Sequence, residues 1–101
     1  MAIIEVSVVP VGTGSPSVSP FVAGAVRILK NHPEVKYELT AMGTIIEGDL
    51  DRALDVVKEM HRSAFTAGAQ RVVTTIKVDE RRDKPSTIAS KIAAVQQRLK
   101  E

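Results

Sequence analysis

The sequence predicts an α+β fold in which two strand–helix–strand units share one antiparallel sheet, with one further helix at the end. Three observations carry this expectation. Four stretches rich in β-branched residues alternate with a period of two. Amphipathic stretches of helical period separate the first strand from the second and the third from the fourth, whereas only a glycine-bearing reversal separates the second from the third. The 101 residues suffice for one domain, residues 1–101, and not for two ordinary ones.

The first strand is expected over residues 3–11, with Ile4, Val6 and Val8 on one face and Ile3, Glu5, Ser7 and Val9 on the other. A loop rich in Gly, Pro and Ser follows over residues 10–20, and Ser19-Pro20 reads as an N-cap with proline at the first helical position. Val22, Ala25, Val26 and Leu29 recur at helical spacing until Pro33 ends the helix. Val35–Met42 alternates as a second strand, and Met42-Gly43 is expected to reverse the chain, glycine supplying a positive φ. A short third strand spans Thr44–Glu47. Asp49 caps a long helix from Leu50 to about Ala67, with a stripe of Leu50, Ala53, Leu54, Val57, Met60 and Ala64 and Gly68 at C′. Arg71–Asp79 is a fourth strand, with Val72, Thr74, Ile76 and Val78 on one face. A charged loop leads to a last helix near Ser86 or Thr87, whose apolar seam (Ile88, Ile92, Val95, Leu99) is only one residue wide per turn. The first six elements read βαββαβ, the ferredoxin-like order, so the chain is a ferredoxin-like sandwich with an additional C-terminal helix.

In that fold both crossover helices cover one face of the sheet. The other face carries Ile3 and Val9 among Glu5, Ser7, Glu38, Thr40, Thr75 and Lys77, and its apolar members favour burial. The narrow seam of the last helix suits a neighbour as well. Self-association, sheet against sheet, is therefore expected.

Composition narrows the function classes. Charged residues are 26%, with a net charge of +2 and interspersed signs, and aromatics are 3% (Phe21, Tyr37 and Phe65). A nucleic-acid surface needs clustered cations and, for single strands, stacking platforms, so no nucleic-acid partner is expected. With no cysteine, thiol chemistry and Cys-ligated metals are excluded. No apolar stretch approaches the ~20 residues of a membrane span, and Met1–Glu5 lacks the basic start of a signal peptide, so a cytoplasmic protein without a membrane partner is the simplest expectation. Neither His32 nor His61 has a ligand or nucleophile at a useful spacing, so no metal site and no catalytic residue is expected.

The loop at residues 10–20 lacks the Lys and Ser/Thr that follow the glycines of a phosphate loop, and Gly12 and Gly14 fit no dinucleotide fingerprint. It is nevertheless longer than the 2–6 residues usual for such a link, which is typical of a pocket wall. In Met42–Asp49, Thr44 and Glu47 offer a hydroxyl and a carboxylate near the sheet, and on composition alone a hairpin and helix cap with a solvated Glu47 is the better account. The run Lys77–Lys84 reads as a solvated face, its alternating signs also suiting ion pairs between subunits.

Four segments, in order, resemble the YkoF-like thiamine-binding family: Ile4–Thr13 (IEVSVVPVGT), Ser15–Ser19 (SPSVS), Tyr37–Gly48 (YELTAMGTIIEG) and Arg71–Lys84 (RVVTTIKVDERRDK). The resemblance covers essentially the whole chain. It implies a ferredoxin-like domain assembling into a homotetramer as a dimer of dimers, and a ligand that is thiamine or its hydroxymethylpyrimidine part, with no further cofactor. It also implies binding roles for Ser7, Pro10, Gly12, Thr13, Met42, Thr44 and Glu47, and for Arg81.

The residue chemistry is compatible with that ligand. Glu47 can accept from the exocyclic amine or pair with a protonated ring nitrogen. Ser7 and Thr44 can donate to ring nitrogens, and Phe21 can lie against the ring or cation. Regular alternation places Thr44 and Glu47 on opposite faces, so one ligand meets both only if the strand is bulged, is too short to be regular, or forms a site with another subunit. The reading that follows is a non-enzymatic thiamine-binding protein. The alternatives are an oligomeric regulatory module for an amino acid or other metabolite, and an enzyme using acids in an inter-subunit pocket. Fold alone does not separate them.

Overall fold

A computed structural model covers residues 1–101. The elements run β1 (Ala2–Val11), α1 (Ser19–Lys30), β2 (Lys36–Thr40), β3 (Gly43–Gly48), α2 (Leu50–Thr66), β4 (Arg71–Glu80) and α3 (Ile88–Leu99). The sheet order is β2-β3-β1-β4, and every neighbour is antiparallel. This is the expected ferredoxin-like arrangement with its additional helix.

Strand parity assigns the two faces. Ile4 is opposed by Ile46 and Val78, and Val6 by Thr44 and Ile76, all on the helix-covered face. Ile3, Glu5, Ser7 and Val9 point to the open face, beside Glu47, Lys77, Thr75 and Val73. The core forms where β1 and β3 meet α1 and α2. Ile4, Val6, Leu29, Ile46, Val56 and Met60 are its largest fully enclosed side chains, each worth about 1.5–3 kcal/mol in burial. Val56, outside the expected stripe of α2, widens that helix's buried arc.

Two local expectations are corrected. The N-cap of α1 is Val18, whose carbonyl accepts from Val22 N–H, while the Ser19 hydroxyl bonds Ser17 instead. The β2–β3 reversal is Ala41-Met42, and no residue there, Gly43 included, has a positive φ. The Thr40 hydroxyl stabilises the turn, donating to the Gly43 carbonyl at 2.7 Å and accepting from Met42 N–H at 3.3 Å. Glycine is required at position 43 for close approach, since a Cβ there would sit 3.0 Å from the Val6 carbonyl oxygen.

The expected caps of α2 hold: Asp49 accepts from Arg52 N–H, and Gly68 has φ +107°. Thr87 and Ser90 form a reciprocal capping box at the start of α3. From there α3 diverges from the body. Ile88 is half-buried, whereas Ile92, Val95 and Leu99 are 48%, 61% and 79% exposed. The radius of gyration of 15.0 Å accordingly exceeds the roughly 13 Å of a compact chain of this length.

At the far end of the helix layer, His32 ties α1 to α2. Its Nδ1 lies 3.1 Å from Glu34 and its Nε2 2.5 Å from Glu59. Glu34 first, and then Glu59, raises the imidazole pKa above 6.5. The folded state therefore holds the proton more tightly than the unfolded chain. The tie contributes fully below about pH 6.5 and is lost as pH rises through the folded-state value.

Two measurements check this account. Gly43→Ala should lower the urea midpoint by the equivalent of about 1–3 kcal/mol, because a backbone oxygen cannot move aside. Gly24→Ala, in α1 with open space around its Cβ, should raise it by about 0.5–1 kcal/mol. Second, the midpoint should fall as pH is raised from about 6 to about 8, a dependence that His32→Gln should flatten.

Candidate functional site

A cavity of about 150 Å³ lies on the helix-covered side, where β1 nears its end. Val6 and Val8 of β1 and Met60 of α2 form its base, Val18 and Val22 line the α1 side, and the hairpin residues Leu39–Thr44 close the other. Met42, 86% exposed, stands at the hairpin tip as part of the rim. Ten of the 14 lining residues are hydrophobic, and none carries a charge.

Thr44 is the polar group this cavity encloses. It is only 4% exposed and opposes Val6 in the regular β1–β3 register. Its hydroxyl has no hydrogen-bond partner within the chain, yet it is not sealed off, since no side-chain polar atom is both fully enclosed and unpaired. A buried hydroxyl left without a partner costs about 1–3 kcal/mol. Open to solvent, this hydroxyl can bond water, so a molecule that fills the cavity must offer it a hydrogen-bonding edge or incur that cost. An aliphatic cavity of about 150 Å³ holds one six-membered aromatic ring.

The other residues named from sequence are dispersed. Ser7 borders the cavity, but strand parity sends its side chain to the open face, opposite Thr75. Pro10 is buried near the end of β1. Gly12 sits in the loop beyond with φ +77°, and the Thr13 hydroxyl donates to the Ser15 carbonyl, so the loop is braced on itself. Phe21 packs against the core without lining the cavity. The loop contributes only its last residue, Val18, to the wall.

Glu47 lies three residues along β3 from Thr44 and on the opposite face, roughly 10 Å further along the strand. It is 5% exposed and accepts a 2.7 Å hydrogen bond from Ile88 N–H, the first amide of α3. A carboxylate there satisfies an orphan helix amide and complements the helix dipole. Lys91–Asp79, at 2.6 Å, pins the next turn. Arg81, in the β4–α3 loop, is engaged by Asp83 through two hydrogen bonds, and the guanidinium holds the Asp83 carboxyl below its usual range. The charged loop thus closes largely on itself. Within one protomer the structure brings Met42 and Thr44 to one cavity and keeps Glu47 and Arg81 away from it. Sequence reasoning missed the cavity's walls, because Val22, Ala25 and Met60 carry the same periodic signal whether they touch a neighbour or a void.

Residues 4–96 match the family described as thiamine-binding protein. The chain belongs to that family. Its relatives include the Bacillus subtilis UPF0045 protein YqgV, 43% identical, with 98% of each chain covered. The solved structure of the Methanocaldococcus jannaschii hypothetical protein MJ1052 superposes with a TM-score of 0.85 at 42% identity, covering 94% of this chain and 95% of that one. The Thermotoga maritima protein TM0486, a candidate thiamine biosynthesis/salvage protein, shares the fold with a TM-score of 0.77 at 23% identity, over 93% of this chain and 97% of that one. Family membership gives a general thiamine-binding role.

The Glu47–Ile88 bond can be tested directly. Glu47→Ala should speed amide exchange at Ile88 and through the first turn of α3 by about tenfold or more, while Glu47→Gln, which keeps an acceptor, should change it far less. Deuterium exchange read by NMR distinguishes the two variants.

Proposed function

We propose that this protein binds thiamine, or hydroxymethylpyrimidine itself, by enclosing the pyrimidine ring in the cavity beside Thr44. It does so without turning the ligand over, and buffers or delivers it in the cytoplasm. The observation that carries this reading is the Thr44 hydroxyl, without a partner in the chain and on a residue only 4% exposed, in an uncharged cavity the size of one ring. Thr44 can donate to a ring nitrogen or accept from the exocyclic amine. The aliphatic walls take the ring faces. The cationic thiazolium would be costly to bury where no acid faces it, so it remains at the rim near Met42. Phosphates on the thiazolium side would then lie in water, and no lysine of the loop awaits them.

We further propose that the protein works as a homotetramer, a dimer of dimers, in which open sheet faces cover one another. The apolar members of that face, Val9, Val11 and Val73, are 41%, 40% and 47% exposed, and α3 leaves its own seam, Ile92, Val95 and Leu99, uncovered as well.

Calorimetry with hydroxymethylpyrimidine, thiamine, thiamine diphosphate and amino acids tests the binding reading. The pyrimidine and both thiamine forms should bind within a few-fold of one another. Thr44→Val should weaken all three by about ten- to a hundredfold, with no loss of melting temperature, since it removes an unpartnered hydroxyl. Undiminished binding by Thr44→Val would place the ligand elsewhere. A response to amino acids alone would make the protein a regulatory module.

A further inference from the structure

A second recess lies on the helix side, between α2 and β4, and shares no residue with the wall of the cavity beside Thr44. Periodicity builds it. Leu54, Val57, Lys58, His61 and Arg62 recur at helical spacing and occupy one face of α2, and alternation along β4 turns Thr74 and Ile76 to the same side. The space they frame is about 300 Å³. Leu54, Val57 and Ile76 give it an apolar floor, with Ile76 left 44% exposed. The other lining residues are hydrogen-bond donors or cations, and none is an acid.

His61 is held in place within this recess. It is half-buried, its Nδ1 lies 2.6 Å from the Thr74 hydroxyl, and its ring stands edge-on to Phe65 with centroids 5.4 Å apart. Its Nε2 has no partner in the chain. When Thr74 donates to Nδ1, Nε2 carries the hydrogen and donates, and protonation of the ring leaves that donor in place. Arg62, the next residue, has no ion pair in its own chain. Lys58, one turn back, has only Asp55, at 3.5 Å on the exposed surface.

We propose that this recess binds a small organic anion, a carboxylate or phosphate group carried on an apolar body about the size of one ring. The anionic group meets the His61 Nε2–H and the charges of Arg62 and Lys58, and the planar Arg62 fork can hold two oxygens at once. The apolar body leaves water against Leu54, Val57 and Ile76. An inorganic anion would leave that floor wet, and a neutral ring would leave the donors unmatched. The cationic ring of thiamine would be repelled by the same charges, so the recess is not a second site for that ligand. Thr74 touches the anion only through His61, as a positioning residue.

Benzoate and phenyl phosphate, titrated into the full chain and followed by NMR, test this. Both should shift the His61 ring signals and the methyl signals of Leu54 and Ile76 saturably. They should bind about tenfold or more tighter than inorganic phosphate or benzyl alcohol, each of which carries only half of the chemistry. Arg62→Gln, on the exposed surface, should weaken binding about tenfold without lowering the melting temperature. Thr74→Val should weaken it several-fold and move the His61 ring-nitrogen shifts, and Thr74→Ser should restore both. Phosphate as tight as phenyl phosphate, or benzyl alcohol as tight as benzoate, would overturn the proposal. So would saturable shifts confined to residues away from His61, or no saturation up to about 20 mM. Hydroxymethylpyrimidine binding by the same variants is a separate readout, because neither Arg62 nor Thr74 lines the cavity beside Thr44.

Discussion

The pairing of β1 with both of its neighbours is the constraint on which the rest of the molecule depends. β1 is hydrogen-bonded on both sides, to β3 and to β4, and its alternate residues Ile4, Val6 and Val8 are enclosed in the core. A slip of one residue would turn those three into solvent and bring Glu5 and Ser7 under the helices, so the register is strongly fixed. Once it is fixed, Thr44 must face the helices and Glu47 must face away, because each lies opposite a β1 residue of settled orientation. The chemistry of the two faces follows from that parity.

On the helix side, parity yields a mostly aliphatic recess with the Thr44 hydroxyl and no charge. Such a place discriminates by what it cannot tolerate. An ion would lose its hydration without a counter-charge, whereas a neutral aromatic ring loses little and gains aliphatic contact on both faces. On the open side, the same parity puts a buried carboxylate beneath the start of α3, where its partner is already supplied by the chain. A charge-assisted bond to a helix amide does not need a ligand to explain the burial of Glu47. The two polar groups that look adjacent in sequence thus have separate surroundings, Thr44 at the recess and Glu47 at the start of α3.

Much of this was legible in the sequence. The alternation in residues 3–11 gave the faces of β1, Asp49 and Gly68 marked the ends of α2, and the opposite orientation of Thr44 and Glu47 could be read from their odd spacing. The misses have physical causes. Val18 and Ser19 stand side by side at the start of α1, and which carbonyl begins the ladder depends on loop geometry that composition does not encode. Gly43 signalled a reversal, but its small size is needed because β3 approaches β1 closely, a tertiary demand that local turn chemistry mimics. The partner of Glu47 lies 41 residues away in sequence. The cavity was invisible because periodicity reports which residues face inward and not whether the space they face is filled.

The apolar surface that β4 leaves uncovered, at Val73, Ile76 and Val78, lies apart from the recess beside Thr44. The cavity opens between α1 and the β2–β3 hairpin, toward the β2 side of the sheet, whereas β4 forms the opposite edge. The recess on the helix side and the uncovered residues of the open face are therefore separate consequences of the same strand parity.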